Sequence, residues 1–189
     1  MVAAVMDITW AESNLQFDAT QAKERLRRAR ASLDVAIDLN RRMIEDLRPT
    51  LLDNFGLIAA LKWHFSEACK SANIVCELYF PESSPNFSPP AAIALYRIAQ
   101  TLTAAMVSHH PHSVMMELTV ALEFVTLTMS CDGMPNAFSR DDDTVTDALA
   151  SVTGRIQALG GNMQFDASQR GAVINCHLPS DKALTTASR

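Results

Sequence analysis

With 189 residues, 20.7 kDa, 48% hydrophobic side chains and 20% charged ones, the chain can build one good core plus a small appended module, which excludes a compositionally disordered protein. A net charge of -5 and a pI near 5.5 leave no field for gripping a phosphate backbone, so no nucleic-acid partner is expected. No apolar run approaches the ~20 residues of a spanning helix and no basic-then-apolar leader opens the chain, so we expect a cytoplasmic location and no membrane contact by this chain.

Residues 2 to 16 place Val5, Ile8, Trp10 and Leu15 among Asp7, Glu12 and Asn14, which predicts a helix ending near Phe17, with Asp18 as cap of the next. From Gln21 onward the sequence has neither Gly nor Pro until Pro49. Leu26, Leu33, Asn40 and Leu47 share one heptad position and Arg30, Ile37 and Ile44 another, a coiled-coil-like seam in which Asn40 is a register-setting polar insertion. A two-helix hairpin buries too little to hold itself together, so the expectation is a homodimer closing a four-helix bundle over residues 1–48. Pro49 ends the helix near Leu47. A joint over 49–56 follows, with Leu51 and Leu52 as an apolar clamp, Asp53 as a cap and Gly56 as a turn, before Leu57, Leu61 and Phe65 repeat at helical spacing.

Beyond the joint the patterns predict a helix over 57–72, a strand over Ile74 to Phe80, and a Pro/Ser loop from Pro81 to Pro90. A helix opened by Ser88-Pro89 runs to about Ser108. Residues 113–121 and 124–131 alternate as a hairpin, a helix spans about 144–159 and stops at Gly160-Gly161, and strands near 162–167 and 171–178 precede a polar tail at 181–189. The fold class is therefore α+β: a dimerising helical hairpin followed, over 57–180, by a two-layer α/β sandwich with helices on one face of a mixed sheet. Cys69, Cys76, Cys131 and Cys176 lie in or beside apolar patterns without a C-x-x-C pair and read as reduced core thiols. His109-His110-Pro111-His112 reads as a solvated loop, and Asp141 to Asp143 as a loop or helix cap. No metal is expected at either.

Glu45-Asp46-Leu47-Arg48-Pro49, Leu52-Asp53, Gly56-Leu57 and Ala59-Ala60-Leu61 resemble the joint of sensor histidine kinases of the nitrate-sensor type. The likeness continues through Ala94-Leu95-Tyr96-Arg97-Ile98-Ala99-Gln100, Ala158-Leu159-Gly160-Gly161 and Leu178-Pro179. It implies a dimerising hairpin joined to a histidine-kinase-type ATP-binding sandwich. In that family the phosphoacceptor lies in a His-Asp motif just upstream of a stretch similar to Val2–Trp10, and here no histidine occurs before His64.

The resemblance also implies which residues should hold nucleotide, and those positions are altered. Thr101 stands where the family has its Glu and Ala105 where it has the Mg²⁺-holding Asn. A hydroxyl is no general base there, and a methyl has no lone pair for a hard cation. His109 matches a family histidine four residues on and is expected to be structural. The adenine-reading Asp is replaced by Cys131, with Asp132 and Gly133 next to it, and Pro135 removes the second glycine and an N–H. Ala148 and Ser151 stand at glycine positions of the second box, and the acidic run repels triphosphate. No catalytic residue and no cofactor are therefore expected. The resemblance supports a non-catalytic pseudo-histidine-kinase that binds a response-regulator receiver domain or a partner kinase, with Glu12, Lys23, Glu24, Arg27 and Arg28 placed to steer the encounter. The alternative is an ATP-binding catalytic fragment of a sensor kinase, which would use ATP and Mg²⁺. A second alternative is a histidine phosphotransferase-like protein.

Overall fold

The structure, a computed structural model, describes residues 2–47, 50–83, 85–132, 142–168 and 171–185. Two compact units divide the chain, residues 1–50 and 51–189.

The first unit is a helical hairpin of α1 (Val2–Asn14) and α2 (Ala19–Leu47). The Asp18 amide donates to the Asn14 carbonyl at 2.9 Å and the Asp18 carboxylate accepts from the Gln21 amide at 2.9 Å, so one residue closes the first helix and caps the second. The seam inside the hairpin is made of alanines: Ala4, Ala11, Ala22 and Ala29 are buried, whereas Leu26 and Leu33 remain 41% and 37% exposed. The leucine heptad is therefore not what joins α1 to α2. Small side chains let two helix axes approach closely, and the larger residues are displaced to the flank. Ile37, Asn40, Ile44 and Leu47 lie on α2, but their side chains are outside the described residues, as are Arg48 and Pro49.

In the second unit, α3 (Thr50–Ala72) is interrupted at Gly56, whose φ of 78° and ψ of 173° break the helical run. The expected turn at Gly56 is thus present, but residues 50–55 already form helix and Asp53 sits within that first stretch. The segment read as a joint over 49–56 is mostly helical where it is described. Gly56 has a left-handed φ and open space around a notional Cβ, so the backbone, not crowding, requires glycine.

The sheet runs β1-β2-β3-β5-β4, with β1 (Val75–Tyr79) parallel to β2 (Ser113–Val120). The remaining pairs are antiparallel: β2 with β3 (Phe124–Cys131), β3 with β5 (Gly171–Pro179), and β5 with β4 (Asn162–Ser168). Strict alternation sends Val125, Leu127, Met129 and Cys131 of β3, and Ala172, Ile174, Cys176 and Leu178 of β5, into one core. That core is completed by Leu57, Leu61 and Phe65 of α3, by Leu95, Ile98 and Leu102 of α4 (Pro89–Ser108), and by Val152 and Ile156 of α5 (Asp143–Gln157). Among the described residues α4 is the one helix long and apolar enough to cross a membrane by length and composition. Half of it is buried in this core, which accounts for its apolarity. The stretch read as a polar tail is ordered structure through residue 185. A short α6 (Ser180–Ala183) buries Ala183 completely, and Asn86 and Ser88 bond to Thr185 and Ala183 through backbone groups at 2.8 Å.

Candidate functional site

The residues that the sequence resemblance assigns to a nucleotide pocket lie along α4, at the end of β3 and on α5. On α4, Thr101 turns its hydroxyl back to the Arg97 carbonyl at 2.9 Å, so its proton is used within the helix. Ala105, one turn on, is buried at 9% exposure. Across from α4, Ala148 of α5 is likewise buried and Ser151 is exposed. The two helices pack on each other in this region. The methyl groups of Ala105 and Ala148 offer no oxygen ligand to a divalent cation.

His109 ends α4 and Asp142 caps α5, and the two are joined. His109 Nδ1 lies 2.8 Å from the Ala105 carbonyl, to which a ring nitrogen can only donate, and Nε2 lies 3.2 Å from Asp142 Oδ2. Asp142 Oδ1 also accepts from the Thr144 amide at 2.8 Å and the Val145 amide at 3.3 Å, and from the Thr144 hydroxyl. The Thr144 hydroxyl, the His109 ring and the Thr144 amide, in that order, hold the Asp142 carboxyl down at about 2. Of the acidic run, Asp142 is therefore a helix cap, Asp143 opens α5, and Asp141 lies outside the described residues.

At the end of β3 the pleat separates two adjacent residues. Cys131 points into the core, and burial raises its thiol pKa. Asp132 is exposed and accepts the Ser113 amide at 2.6 Å, fastening the start of β2. It lines a shallow cavity of about 510 Å³ with Glu77, Tyr79, Met115 and Ser130 on the face of the sheet away from the helices. Successive strand residues face opposite sides, so Asp132 cannot take the place of Cys131 by a one-residue shift. Gly171 faces this corner: a Cβ there would lie 1.9 Å from the Cys131 carbonyl oxygen, so the β5 start tolerates no side chain. Gly133 and Pro135 lie outside the described residues.

His64 packs its ring edge-on to Tyr96 at 5.8 Å, and burial lowers its pKa. Among the described residues no three or more His, Cys, Asp or Glu side chains group as a metal site, and His110 and His112 are exposed.

The hairpin carries a second candidate surface, which sequence periodicity described only in part. Asp7 and Arg25 stand three residues after Ala4 and Ala22, and they pair at 3.1 Å. Arg28 reaches the same carboxylate at 3.0 Å, and the Arg25 guanidinium lies 4.3 Å over the Trp10 ring. This ion pair places both i+3 flanks on one side of the hairpin. The i+4 positions, Ile8 and Leu15 after Ala4 and Ala11, and Leu26 and Leu33 after Ala22 and Ala29, therefore share the opposite side. One flank is charged and internally paired, and the other is apolar and open. Of the charges expected to steer a partner, Arg28 serves Asp7 and Arg27 lies 3.6 Å from Glu24, while Glu12 and Lys23 are exposed.

No family model matches the chain, and no curated protein matches it in sequence. Solved structures do resemble it. The histidine kinase AdeS of Acinetobacter baumannii is similar at a TM-score of 0.54 and 16% identity, over 94% of this chain and 95% of that one. The blue-light activated histidine kinase EL346 of Erythrobacter litoralis is similar at 0.53 and 15%, over 65% of this chain and 41% of its own. The nucleotide-free catalytic domain of histidine kinase ThkA is similar at 0.52 and 15%, over 65% of this chain and 90% of that domain. At such identities the likeness concerns the fold: the chain has the α/β sandwich of histidine kinase catalytic domains.

Proposed function

We propose that the chain is a non-catalytic module of two-component signalling, a pseudo-histidine-kinase of nitrate-sensor ancestry that works by occupancy. The observation that carries this reading is the α4–α5 contact. Where the resemblance calls for a metal-holding amide and a glycine, buried Ala105 and Ala148 stand on packed helices, and the helix ends are tied by His109 and Asp142. The sandwich meanwhile has a continuous apolar core. Loss of ligand groups within a preserved scaffold fits a protein retained for binding.

On this reading the hairpin is the binding part. Its apolar flank closes a homodimer, or a mixed dimer with a related kinase, and its exposed helix faces dock a receiver domain in the cytoplasm. It competes for the regulator by occupancy, without passing on phosphate. The competing reading, an ATP-binding fragment, is favoured by the fold itself, which the catalytic kinases share.

Titration calorimetry with ATP or ADP and Mg²⁺ separates the two. We expect no heat of binding up to millimolar nucleotide. A micromolar dissociation constant would establish the catalytic-fragment reading in its place.

A further inference from the structure

We propose that Cys69 and Cys76 are a redox-convertible thiol pair, a modification site at which a hydroperoxide closes a disulfide between the end of α3 and the edge strand β1. The chain geometry brings the two together. Asn73, at a left-handed φ of 57°, turns the chain back on itself. Its amide donates to the Lys70 carbonyl at 3.2 Å and the Ile74 amide to the Cys69 carbonyl at 2.9 Å, so β1 begins against the last turn of α3. Strand alternation then sends Cys76 and Leu78 toward the helices, while Val75, Glu77 and Tyr79 face outward. Cys69 is fully buried in that interface, with the Cys76 thiol as its electrostatic neighbour.

Their unequal exposure assigns the two roles. Cys76 is part-buried on an edge strand and is the more accessible of the two to a small oxidant. Cys69 lies behind it, and burial, with Cys76 beside it, pushes its thiol up to about 12, which keeps it protonated and unreactive by itself. The Cys76 thiolate attacks the hydroperoxide: an S–O bond forms, the O–O bond breaks, and the alcohol (water, for hydrogen peroxide) leaves with a proton. The Cys69 sulfur then attacks the sulfenic sulfur: the S–S bond forms, the S–O bond breaks, and the hydroxyl departs as water with the Cys69 proton. Two thiols are oxidised by two electrons and the hydroperoxide is reduced by the same two. Cys131 and Cys176 are buried on β3 and β5, where they stand in register with Ala172 and Leu127 and not with a second thiol.

The test is peptide mapping of the full chain after mild hydrogen peroxide treatment, with counting of free thiols. Two of the four thiols should vanish, both should return with dithiothreitol, and the linked peptides should be those of Cys69 and Cys76. In Cys69→Ser, Cys76 should be trapped by dimedone as a sulfenic acid. The wild-type map reads the link without any variant, so poor folding of Cys69→Ser leaves the test intact. Peptides linked through Cys131 or Cys176, irreversible oxidation of Cys76 with no link, or four thiols left unchanged would each overturn the assignment.

Discussion

The hairpin and the sandwich differ in how they bury apolar surface. In the sandwich, Leu61, Phe65, Leu95, Ile98, Leu102 and Ile156 are all fully buried, so its core is closed by its own chain. In the hairpin the buried residues are alanines, and Val5, Met6, Leu15, Phe17, Leu26 and Leu33 remain exposed. An alanine contributes little transfer free energy, whereas each fully buried leucine contributes about 1.5–3 kcal/mol. The sandwich is therefore a self-sufficient folding unit. The hairpin leaves its larger apolar side chains exposed, and on the proposed reading it is half of an interface completed by a second surface. This contrast supports placing partner binding at the helices.

The largest test of that contrast is on the self-sufficient side. Phe65→Ala should destabilise the sandwich by about 3–5 kcal/mol in denaturant unfolding, because it removes a ring fully buried by its own chain. That loss should not depend on protein concentration. A loss below about 1 kcal/mol would mean that the core is looser than its packing indicates.

On the hairpin side, Leu33→Glu should split the proposed homodimer at a cost of roughly 3 kcal/mol, since an unpaired carboxylate would be buried at the subunit contact. Sedimentation velocity should show the monomer, while the melting of the sandwich stays unchanged. If the sedimentation coefficient is the same as in the parent chain, or the parent is already a monomer, the apolar flank is not a homodimer seam.

The smallest effect sharpens the comparison inside the sandwich, at the tie between α4 and α5. The Asp142 carboxyl titrates at about 2, against an ordinary 3.8. Its folded value is lowered, so protons bind the unfolded chain more readily. The stability it contributes is present above the ordinary value and is lost as pH falls from near 4 through 2. Asp142→Asn should lower the melting temperature at neutral pH, and its difference from the parent chain should shrink across that acid window. A difference unchanged down to pH 2 would mean that the cap does not depend on the charge.

Much of the sandwich was readable from the sequence because its signals are local. Alternation along residues 113–131 and 171–178 assigned strand faces before any pairing was known. Gly160-Gly161 marked a helix end by backbone preference alone, as Asp18 did in the hairpin by its side chain. The register of Cys131 against Asp132 also follows from the two-residue strand period, although its meaning needed the Ser113 amide to show where Asp132 points. The ordered stretch at 180–185 left no such trace: its short polar sequence packs only because Asn86 and Ser88, far away in sequence, offer it partners.

The sequence by itself determined the order of elements, the core-facing residues of the strands, and the amphipathic character of α2, because these depend on the repeat of residues along one element. Only the tertiary structure decided which stripe of α2 its own partner helix takes. Ala22 and Leu26 lie on neighbouring stripes of one helix, and periodicity ranks the leucine stripe higher because it weighs side-chain area. The contact of α1 with α2 instead selects the alanines, since close approach of two helix axes is governed by what is small enough to fit between them, and the leucines are left exposed. The same holds for His109 and Asp142, Cys69 and Cys76: each residue is legible alone, and its partner is set by how distant elements meet.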